Sequence, residues 1–301
     1  MSTDRPLLGF AFAFAFCLLA PLGDALVKVV GHEAPLMVLL LSRFVAQALF
    51  LAPIVVLTSR LFRTSQRIFT LLVVRSFMHI LGIGMMYISL RLLPLADAIA
   101  IVFIFPFILL VLGHFILGEK VGRQRIIACF IGFAGTLLVI QPSFVEVGVA
   151  ALLPVLVAFA FSIFMLITRS LAKDYDPISM QATSGSISSL ILLTIWLIAG
   201  NDFSYDMSII LPTSTHIAWL LLAIGILGSV SHLFMTIALR FAPSATIAPL
   251  QYVEIPIAAF LGWLLFSELP DGLAAIGIII TIGAGIFVLM NERKINRAAQ
   301  A

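Results

Sequence analysis

Charged residues are scarce in this chain of 301 residues. Asp, Glu, Lys and Arg together make up 10% of it, whereas soluble domains carry about 25%. So few charges cannot cover a globular surface that faces water. The deficit argues against a soluble enzyme and, despite a net charge of +3, against a protein that binds nucleic acid.

Cysteine and the common catalytic motifs are also scarce. The two cysteines, Cys17 and Cys129, lie in apolar stretches without a CxxC spacing, so we interpret them as small packing residues. No Gly-x-Ser-x-Gly, HExxH or GxxxxGK[ST] motif is present, and the five histidines are scattered. We therefore expect no catalytic residue, no metal, no cofactor and no direct use of ATP.

Apolar residues dominate the composition instead. They make up 62% of the chain, and the mean hydropathy is +1.21. A membrane-spanning helix needs about 20 mainly apolar residues, and the chain holds ten such segments. The predicted helices cover residues 7–29, 35–57, 68–90, 95–117, 126–142, 149–171, 178–199, 215–239, 244–266 and 272–290. The fifth is the shortest, and no loop is long enough to form a soluble domain.

Basic residues indicate the orientation in the membrane, because Lys and Arg concentrate in cytoplasmic loops. Lys28 and Arg91 fall on one side, and Arg43 and Arg75 lie within predicted spans. The remaining 13 of the 17 basic residues fall on the other side: Arg5, Arg60, Arg63, Arg67, Lys120, Arg123, Arg125, Arg169, Lys173, Arg240, Arg293, Lys294 and Arg297. The bias predicts that both termini are cytoplasmic.

The two halves of the chain resemble each other at a constant offset in residue number, 238 − 89 = 149. Ser-Leu-Arg-Leu-Leu-Pro at 89–94 aligns with Ala-Leu-Arg-Phe-Ala-Pro at 238–243, and Glu119 aligns with Glu268. A repeat of five helices must be inverted, because five is odd. The loop charges agree: residues 118–125 sum to −1 + 3 = +2, and residues 267–272 sum to −2. We expect an all-α integral membrane protein with two inverted five-helix repeats, residues 1–143 and 149–292.

Short motifs in both halves resemble a known family. Leu90-Arg91, Pro94-Leu95-Ala96-Asp97-Ala98 and Gly118-Glu119-Lys120 stand in the first half. Arg240-Phe241-Ala242-Pro243-Ser244-Ala245, Pro249-Leu250-Gln251-Tyr252 and Glu268-Leu269-Pro270-Asp271 stand in the second half. They are similar to the two EamA repeats of the drug/metabolite transporter (DMT) superfamily, and the resemblance covers nearly the whole chain.

The resemblance implies a function that the residues alone do not. It implies a secondary transporter in the bacterial inner membrane, with a central cavity open to one side at a time. The substrate would be a small organic metabolite, similar to S-adenosylmethionine, a flavin or nucleotide, or an amino acid, and transport could be coupled to protons. The protein would be a monomer or homodimer in the lipid bilayer. A membrane-embedded enzyme and a non-transporting assembly protein remain alternatives.

Glu254 is the leading candidate for function, because it falls near the middle of the ninth predicted helix. An ionisable group deep in a span costs several kcal/mol unless it is paired or hydrated. Gln251 and Tyr252 stand beside it. We expect Glu254 to contact a substrate amine or to carry a coupling proton. The alternative is a structural partner for an arginine.

Two pairs spaced i, i+4 can each present one polar face inside a helix: Arg75 with His79, and Arg43 with Gln47. Either pair could bind a substrate carboxylate or phosphate. The alternative is an interhelical salt bridge between one of these arginines and Glu254 or Asp24. If both arginines and Glu254 share one cavity, the site suits a zwitterion or an anion better than a simple cation.

Asp24 and Lys28 on the first helix have the same spacing, and we interpret them as a local ion pair, although Asp24 is also a candidate cavity residue. Lys28 is expected to reach the outer membrane interface. His232 could relay protons, but an isolated histidine in an apolar helix is more often packed and hydrogen-bonded.

Aromatic residues and prolines complete the candidate site. Tyr87, Tyr252 and Trp263 could stack against a planar substrate, although aromatic residues in membrane helices more often serve packing or interface anchoring. Pro106 and Pro256 fall mid-span in repeat-equivalent helices and predict kinks near the transport path. A static kink without gating is the alternative.

Overall fold

The computed structural model describes the chain in segments separated by short gaps. The described residues are 5–58, 65–117, 123–173, 175–199, 204–212, 214–270 and 272–298. Several charged residues on which the orientation and loop-charge predictions rest lie outside them: Arg60, Arg63, Glu119, Lys120 and Asp271.

Helices make up the described chain almost entirely. The first half contains α1 (Pro6–Val30), α2 (Leu36–Leu57), α3 (Gln66–Leu92), α4 (Leu95–Val102), α5 (Phe105–Leu117) and α6 (Arg123–Val147). The second contains α7 (Leu153–Ala172), α8 (Pro177–Ala199), α9 (Thr215–Phe241), α10 (Ser244–Ile247), α11 (Glu254–Phe266) and α12 (Gly272–Ala298). Short 3₁₀ turns cover Gly148–Leu152, Tyr205–Met207 and Ala248–Val253.

These helices form the ten predicted passes. Among the described residues, seven helical segments are long and apolar enough to span a membrane. One of them, Phe130–Ala172, has 43 residues and contains most of α6 and all of α7, so it supplies two passes. The shorter apolar helices Leu250–Phe266 and Gly272–Ala284 supply the last two. The prediction that the fifth helix is the shortest was wrong, because α6 has 25 residues.

The contact between α6 and α12 shows the inverted relationship of the repeats. Gly132 lies beside Ala284, and Gly135 lies beside Thr281. The offset between the halves converts each pair into the other, because Gly132 aligns with Thr281 and Gly135 aligns with Ala284. The helices are antiparallel, and their glycines let the backbones approach closely, as is common where lipid surrounds packed helices. The other contacts follow the same symmetry: α1 packs on α9 as α7 packs on α3, and α2 packs on α8.

Two passes are interrupted at equivalent positions. The first half of the fourth pass ends at Val102 and its second half, α5, begins at Phe105. In the ninth pass a 3₁₀ turn precedes α11, which begins at Glu254. Phe105 and Glu254 are aligned by the offset between the halves, so the two helices restart at the same point of each repeat.

The prolines do not kink continuous helices, which corrects the prediction made from the sequence. Pro106 and Pro256 are instead the second and third residues of the restarted helices α5 and α11. A proline in the first turn interrupts no hydrogen bond, because the N–H groups there have no partner within the helix. The helix of each pass is therefore interrupted just before its proline.

Candidate functional site

A central cavity lies between the repeats, and residues from both of them line it. Its volume free of atoms is about 860 Å³, and this value includes the part of the cavity that is open to solvent. Most of the lining is apolar, and several predicted site residues supply its polar groups: Asp24, Arg43, His79, Tyr87, His232, Gln251 and Glu254. Such a cavity, mainly apolar with a few polar groups, is typical of a small-molecule site.

Carboxyl and amide groups form one region of the cavity wall. Glu254 is the first residue of α11, so it faces the positive end of the helix dipole. Gln251, fully buried, donates a hydrogen bond from Nε2 to Glu254 Oε1 at 3.4 Å. Asp24 faces the same cavity from α1, which packs against α11. The cavity therefore brings together one acid from the first helix of the chain and one from the ninth pass.

Arg43 lines the cavity but is held by neutral groups. Nη1 donates to Gln47 Oε1 at 2.8 Å, and Nη2 donates to the carbonyl oxygen of Gly228 at 2.6 Å. Gln47 itself is fully buried behind Arg43, where Nε2 donates to Gln181. Within the part of the chain that the structure describes, no carboxylate oxygen of Asp24 or Glu254 lies within 4.0 Å of Arg43. The salt bridge considered for Arg43 is therefore not formed.

Arg75 does not line the cavity. Its guanidinium donates to three hydroxyl groups, those of Thr168 at 2.7 Å, Ser184 at 2.5 Å and Thr236 at 3.5 Å. It also lies 4.3 Å from the centre of the Phe164 ring. These contacts satisfy the buried cation without a carboxylate. Arg75 therefore acts behind the cavity wall, where it joins α3 to α7, α8 and α9.

Sequence reasoning missed the polar residues that surround Arg75 and Gln47. Gln181 donates from Nε2 to the Thr236 hydroxyl at 2.6 Å and to the carbonyl oxygen of His232 at 2.7 Å. The available signal was weak: a glutamine or a threonine in an apolar span is uncharged and common. Ser184, another uncharged residue in an apolar span, accepts a hydrogen bond from Arg75.

Histidine and phenylalanine rings form another region of the wall. The His79 ring packs between Phe164 and His232, with centroid distances of 4.4 and 4.6 Å, and lies 5.1 Å from the Phe44 ring. His232 lies with Nδ1 3.2 Å from the Gly228 carbonyl oxygen. Among the described groups, both ring nitrogens of His79 are buried without a hydrogen-bond partner.

The three aromatic candidates take different positions. Tyr87 lines the cavity. Tyr252 is buried beside it, with its ring 5.1 Å from that of the cavity residue Phe103. Trp263 is 51% exposed on the outer surface of α11, so the structure does not bring it to the site. An exposed tryptophan there fits a lipid-facing position, which was the alternative for these residues.

Lys28 pairs with the second repeat and not with Asp24, so the predicted local pair was wrong. Lys28 Nζ lies 3.0 Å from Glu268 Oε1 and donates to the carbonyl oxygen of Leu93 at 2.6 Å. Glu268 Oε2 accepts from the backbone N–H of Leu95 at the start of α4, at 3.1 Å. Glu268 is a better partner for Lys28 than Asp24 is, because the N-terminus of α4 also stabilises the Glu268 carboxylate.

Arg91 and Asp206 make a second link between the repeats at the same end. Nη1 of Arg91 donates to Asp206 Oδ1 at 2.8 Å, and the N–H of Leu36 donates to the same oxygen at 3.1 Å. Burial alone would raise the pKa of the Asp206 carboxyl, but these hydrogen bonds and the Arg91 charge outweigh it and hold the pKa below its usual value. We call this region, with Lys28, Arg91, Asp206 and Glu268, the Lys28 end.

The opposite end of the bundle carries Arg240, the arginine that aligns with Arg91 in the other repeat. Arg240 Nη1 lies 3.9 Å from Asp176 Oδ1, just before α8. Arg169 Nη1 donates to the carbonyl oxygen of Leu239 at 2.6 Å, and the N–H of Arg5 donates to that of Phe241 at 2.9 Å. We call this region the Arg240 end.

The chain has ten apolar passes in two inverted repeats, and a cavity lies between the repeats, beside the two broken passes. Together these features are typical of a secondary transporter. The sequence profile of the EamA-like transporter family matches residues 7–141 and 148–290. The chain belongs to this family of the DMT superfamily, and it is a secondary transporter of small metabolites.

Individual relatives agree with the family. A riboflavin transporter of Rhizobium johnstonii is 31% identical over 222 residues, which are 72% of this chain and 69% of the relative. An S-adenosylmethionine uptake transporter of Rickettsia prowazekii is 25% identical over 273 residues, 91% of this chain and 89% of that one. A protein of known crystal structure shares the fold with a TM-score of 0.69 at 15% identity, covering 95% of this chain and 98% of its own.

Proposed function

We propose that the chain carries a small organic metabolite across the bacterial inner membrane by alternating access. The two repeats, residues 1–143 and 149–292, would rock against each other around the central cavity. The observation that carries the proposal is the cavity itself, because it lies where the repeats meet and takes polar groups from both, Asp24 and Arg43 from the first and Glu254 from the second. A solute bound there is released when the contacts at one end separate.

The contacts at the Lys28 end support this mechanism. There, both Glu268 and Asp206 of the second repeat accept hydrogen bonds from basic side chains and helix starts of the first. These links hold that end together in the present conformation. Access from that side requires that they break. At the Arg240 end, the hydrogen bond from the N–H of Arg5 to the carbonyl oxygen of Phe241 joins the repeats, whereas Arg240 contacts Asp176 of its own repeat.

The lining supports a substrate with a flat ring. Rings of His79, His232, Tyr87 and Phe103 surround the space, and aromatic rings stack favourably on planar heterocycles. Riboflavin and S-adenosylmethionine, which give the two relatives their names, both contain such a ring. We propose a solute of this kind, with the lining residues as its binding site and Glu254 as its polar contact or as the carrier of a coupling proton.

We further propose that the Lys28 end faces the outside and that both termini are cytoplasmic. The excess of Lys and Arg in the loops supports this orientation. The carbonyl of Phe241 accepts from Arg5, which puts the start of α1 and the end of α9 on one side. Transport would involve no covalent chemistry, and the unit would be a monomer or a homodimer.

Transport by purified protein in liposomes tests the function. Radiolabelled S-adenosylmethionine, riboflavin and a mixture of amino acids would be offered with and without a pH gradient. We expect uptake of at least one solute above protein-free liposomes, and a dependence on the gradient if protons are coupled. If none of the solutes moves under either condition, transport of this substrate class is refuted.

A further inference from the structure

The charges around the cavity do not balance. Two acids, Asp24 and Glu254, and one base, Arg43, are the charged side chains that line it within the described residues, so their formal sum is −1 − 1 + 1 = −1. Arg43 is occupied by Gln47 and the Gly228 carbonyl and does not form an ion pair with either acid. A net charge enclosed by a membrane protein is costly unless another charge neutralises it.

The acids also repel each other. Asp24 and Glu254 face one cavity from the packed helices α1 and α11, and two like charges in an apolar cavity repel each other strongly. One added positive charge removes this repulsion. A proton can supply it, and so can the cationic group of a bound solute.

Gln251 gives an independent sign of the missing group. Its side-chain oxygen Oε1 is buried and has no donor among the described residues, while its Nε2 is directed to Glu254. Together with the two carboxyl groups, this oxygen makes the region an array of acceptors. An array of acceptors calls for a ligand that donates hydrogen bonds or carries positive charge, because a buried acceptor without a donor costs free energy.

We propose that Asp24, Glu254 and Gln251 form a cation subsite, so that the cavity selects solutes that carry a positively charged group. In the absence of such a solute, a proton occupies the carboxyl pair. Because one charge suffices, the solute cation and the proton compete, and binding of one releases the other. This subsite rests on the proposed transport function and specifies its substrate class as organic cations.

Other titratable groups face the subsite, and their charges also affect its pH dependence. They come from the surrounding helices: Cys17 on α1, Arg43 on α2, His79 and Tyr87 on α3, and His232 on α9. The histidines pack against phenylalanine rings and stay in every variant proposed below, so substitutions at the two acids report on the carboxyl pair alone.

Matched solutes that differ by one charge test the subsite on the full chain in lipid nanodiscs. S-adenosylmethionine carries one positive charge more than S-adenosylhomocysteine, and arginine one more than citrulline. By calorimetry at pH 7.5 we expect the cation of at least one pair to bind about tenfold tighter than its neutral partner. Its affinity should fall as the pH is lowered to 6, because protons then compete more strongly for the carboxyl pair.

Variants separate the subsite from general effects. Asp24→Asn and Glu254→Gln should each reduce the preference for the cation and its pH dependence, while Glu146→Gln, on the exposed end of α6, should change neither. Thermal unfolding of each variant shows that it is folded. If both neutral partners bind as tightly as their cations, or if no cation is bound, the subsite is refuted. Riboflavin transport in that case would still support the proposed function.

Discussion

Nζ of Lys28 lies 3.0 Å from Oε1 of Glu268, and this ion pair joins the last turn of the first helix to the loop after α11. The side chains are 14% and 30% exposed, so water reaches the pair only partly. The pair belongs to the Lys28 end of the bundle, whereas Asp24, one turn earlier on the same helix, faces the cavity. Neighbouring charges on one helix thus serve different tasks.

Loss of this ion pair should loosen the Lys28 end. Glu268→Gln keeps the side-chain shape but removes the charge, and we expect a loss of up to about 1 kcal/mol in the free energy of unfolding. In a chain whose natural cysteines are replaced, a reporter thiol introduced by Tyr87→Cys should then react faster with a membrane-impermeant reagent. Lys173→Met, at an exposed position near the other end, is the control. Equal labelling rates in all variants would contradict a closing role.

Glu254→Gln should abolish most transport while leaving the fold intact. The amide preserves the size of the side chain at the start of α11 but can neither carry a proton nor balance a cation. We expect uptake into liposomes to fall at least about tenfold, as when a charged contact is lost. Glu146→Gln removes a carboxylate from an exposed site and should transport normally. Transport at the unsubstituted rate by Glu254→Gln would refute the assigned role.

Gly228→Ala should displace Arg43. A Cβ at Gly228 would overlap the guanidinium, with Cζ only 2.7 Å away, and the carbonyl of Gly228 also holds Nη2. We expect weaker solute binding, since the position of this cavity base depends on the glycine. Gly84→Ala is the matched control, because its Cβ would meet only Leu40, at 3.7 Å. If the two variants bind the solute with equal affinity, the position of Arg43 does not depend on the absence of a side chain at residue 228.

Gly277→Ala should weaken the contact between the repeats at α6 and α12. The added Cβ would collide with the Gly135 carbonyl oxygen and would lie 2.8 Å from Val139 Cγ2. Overpacking of this kind costs about 1–3 kcal/mol, which thermal unfolding in detergent would show as a lower midpoint. Gly283→Ala on the same helix meets no atom within 4 Å and should unfold like the original chain. Equal midpoints for both variants would contradict the close crossing.

The Asp206 link should weaken in acid. The pKa of this carboxyl is lower in the folded protein than in the unfolded chain, so the link stabilises the fold above the unfolded value of about 4. That contribution is lost as the pH falls through the lower folded value. Thermal unfolding between pH 5 and 3 should show a smaller pH dependence for Asp206→Asn than for the original chain. An identical dependence would indicate that Asp206 is not stabilised by Arg91.

The passes and their inverted repetition could be predicted because each depends on a local property. A run of apolar residues spans lipid wherever it lies, and an odd number of passes inverts a repeat by geometry alone. The internal alignment already matched Arg91 with Arg240, which the structure places at opposite ends. The cost of polar groups in lipid predicted that Glu254, Arg43 and His79 lie inside the bundle, and the structure places these three residues in the wall of one cavity.

Tertiary packing decided which polar groups meet. Spacing along one helix allowed Lys28 to pair with Asp24, yet the partner it found comes from the other repeat. Arg43 and Arg75 have the same pattern of a polar residue four positions later, but only Arg43 reaches the cavity, because hydroxyl groups of three neighbouring helices enclose Arg75. Hydropathy assigns a residue to the membrane interior, whereas its partner depends on how the helices pack, and that is a property of the assembled bundle.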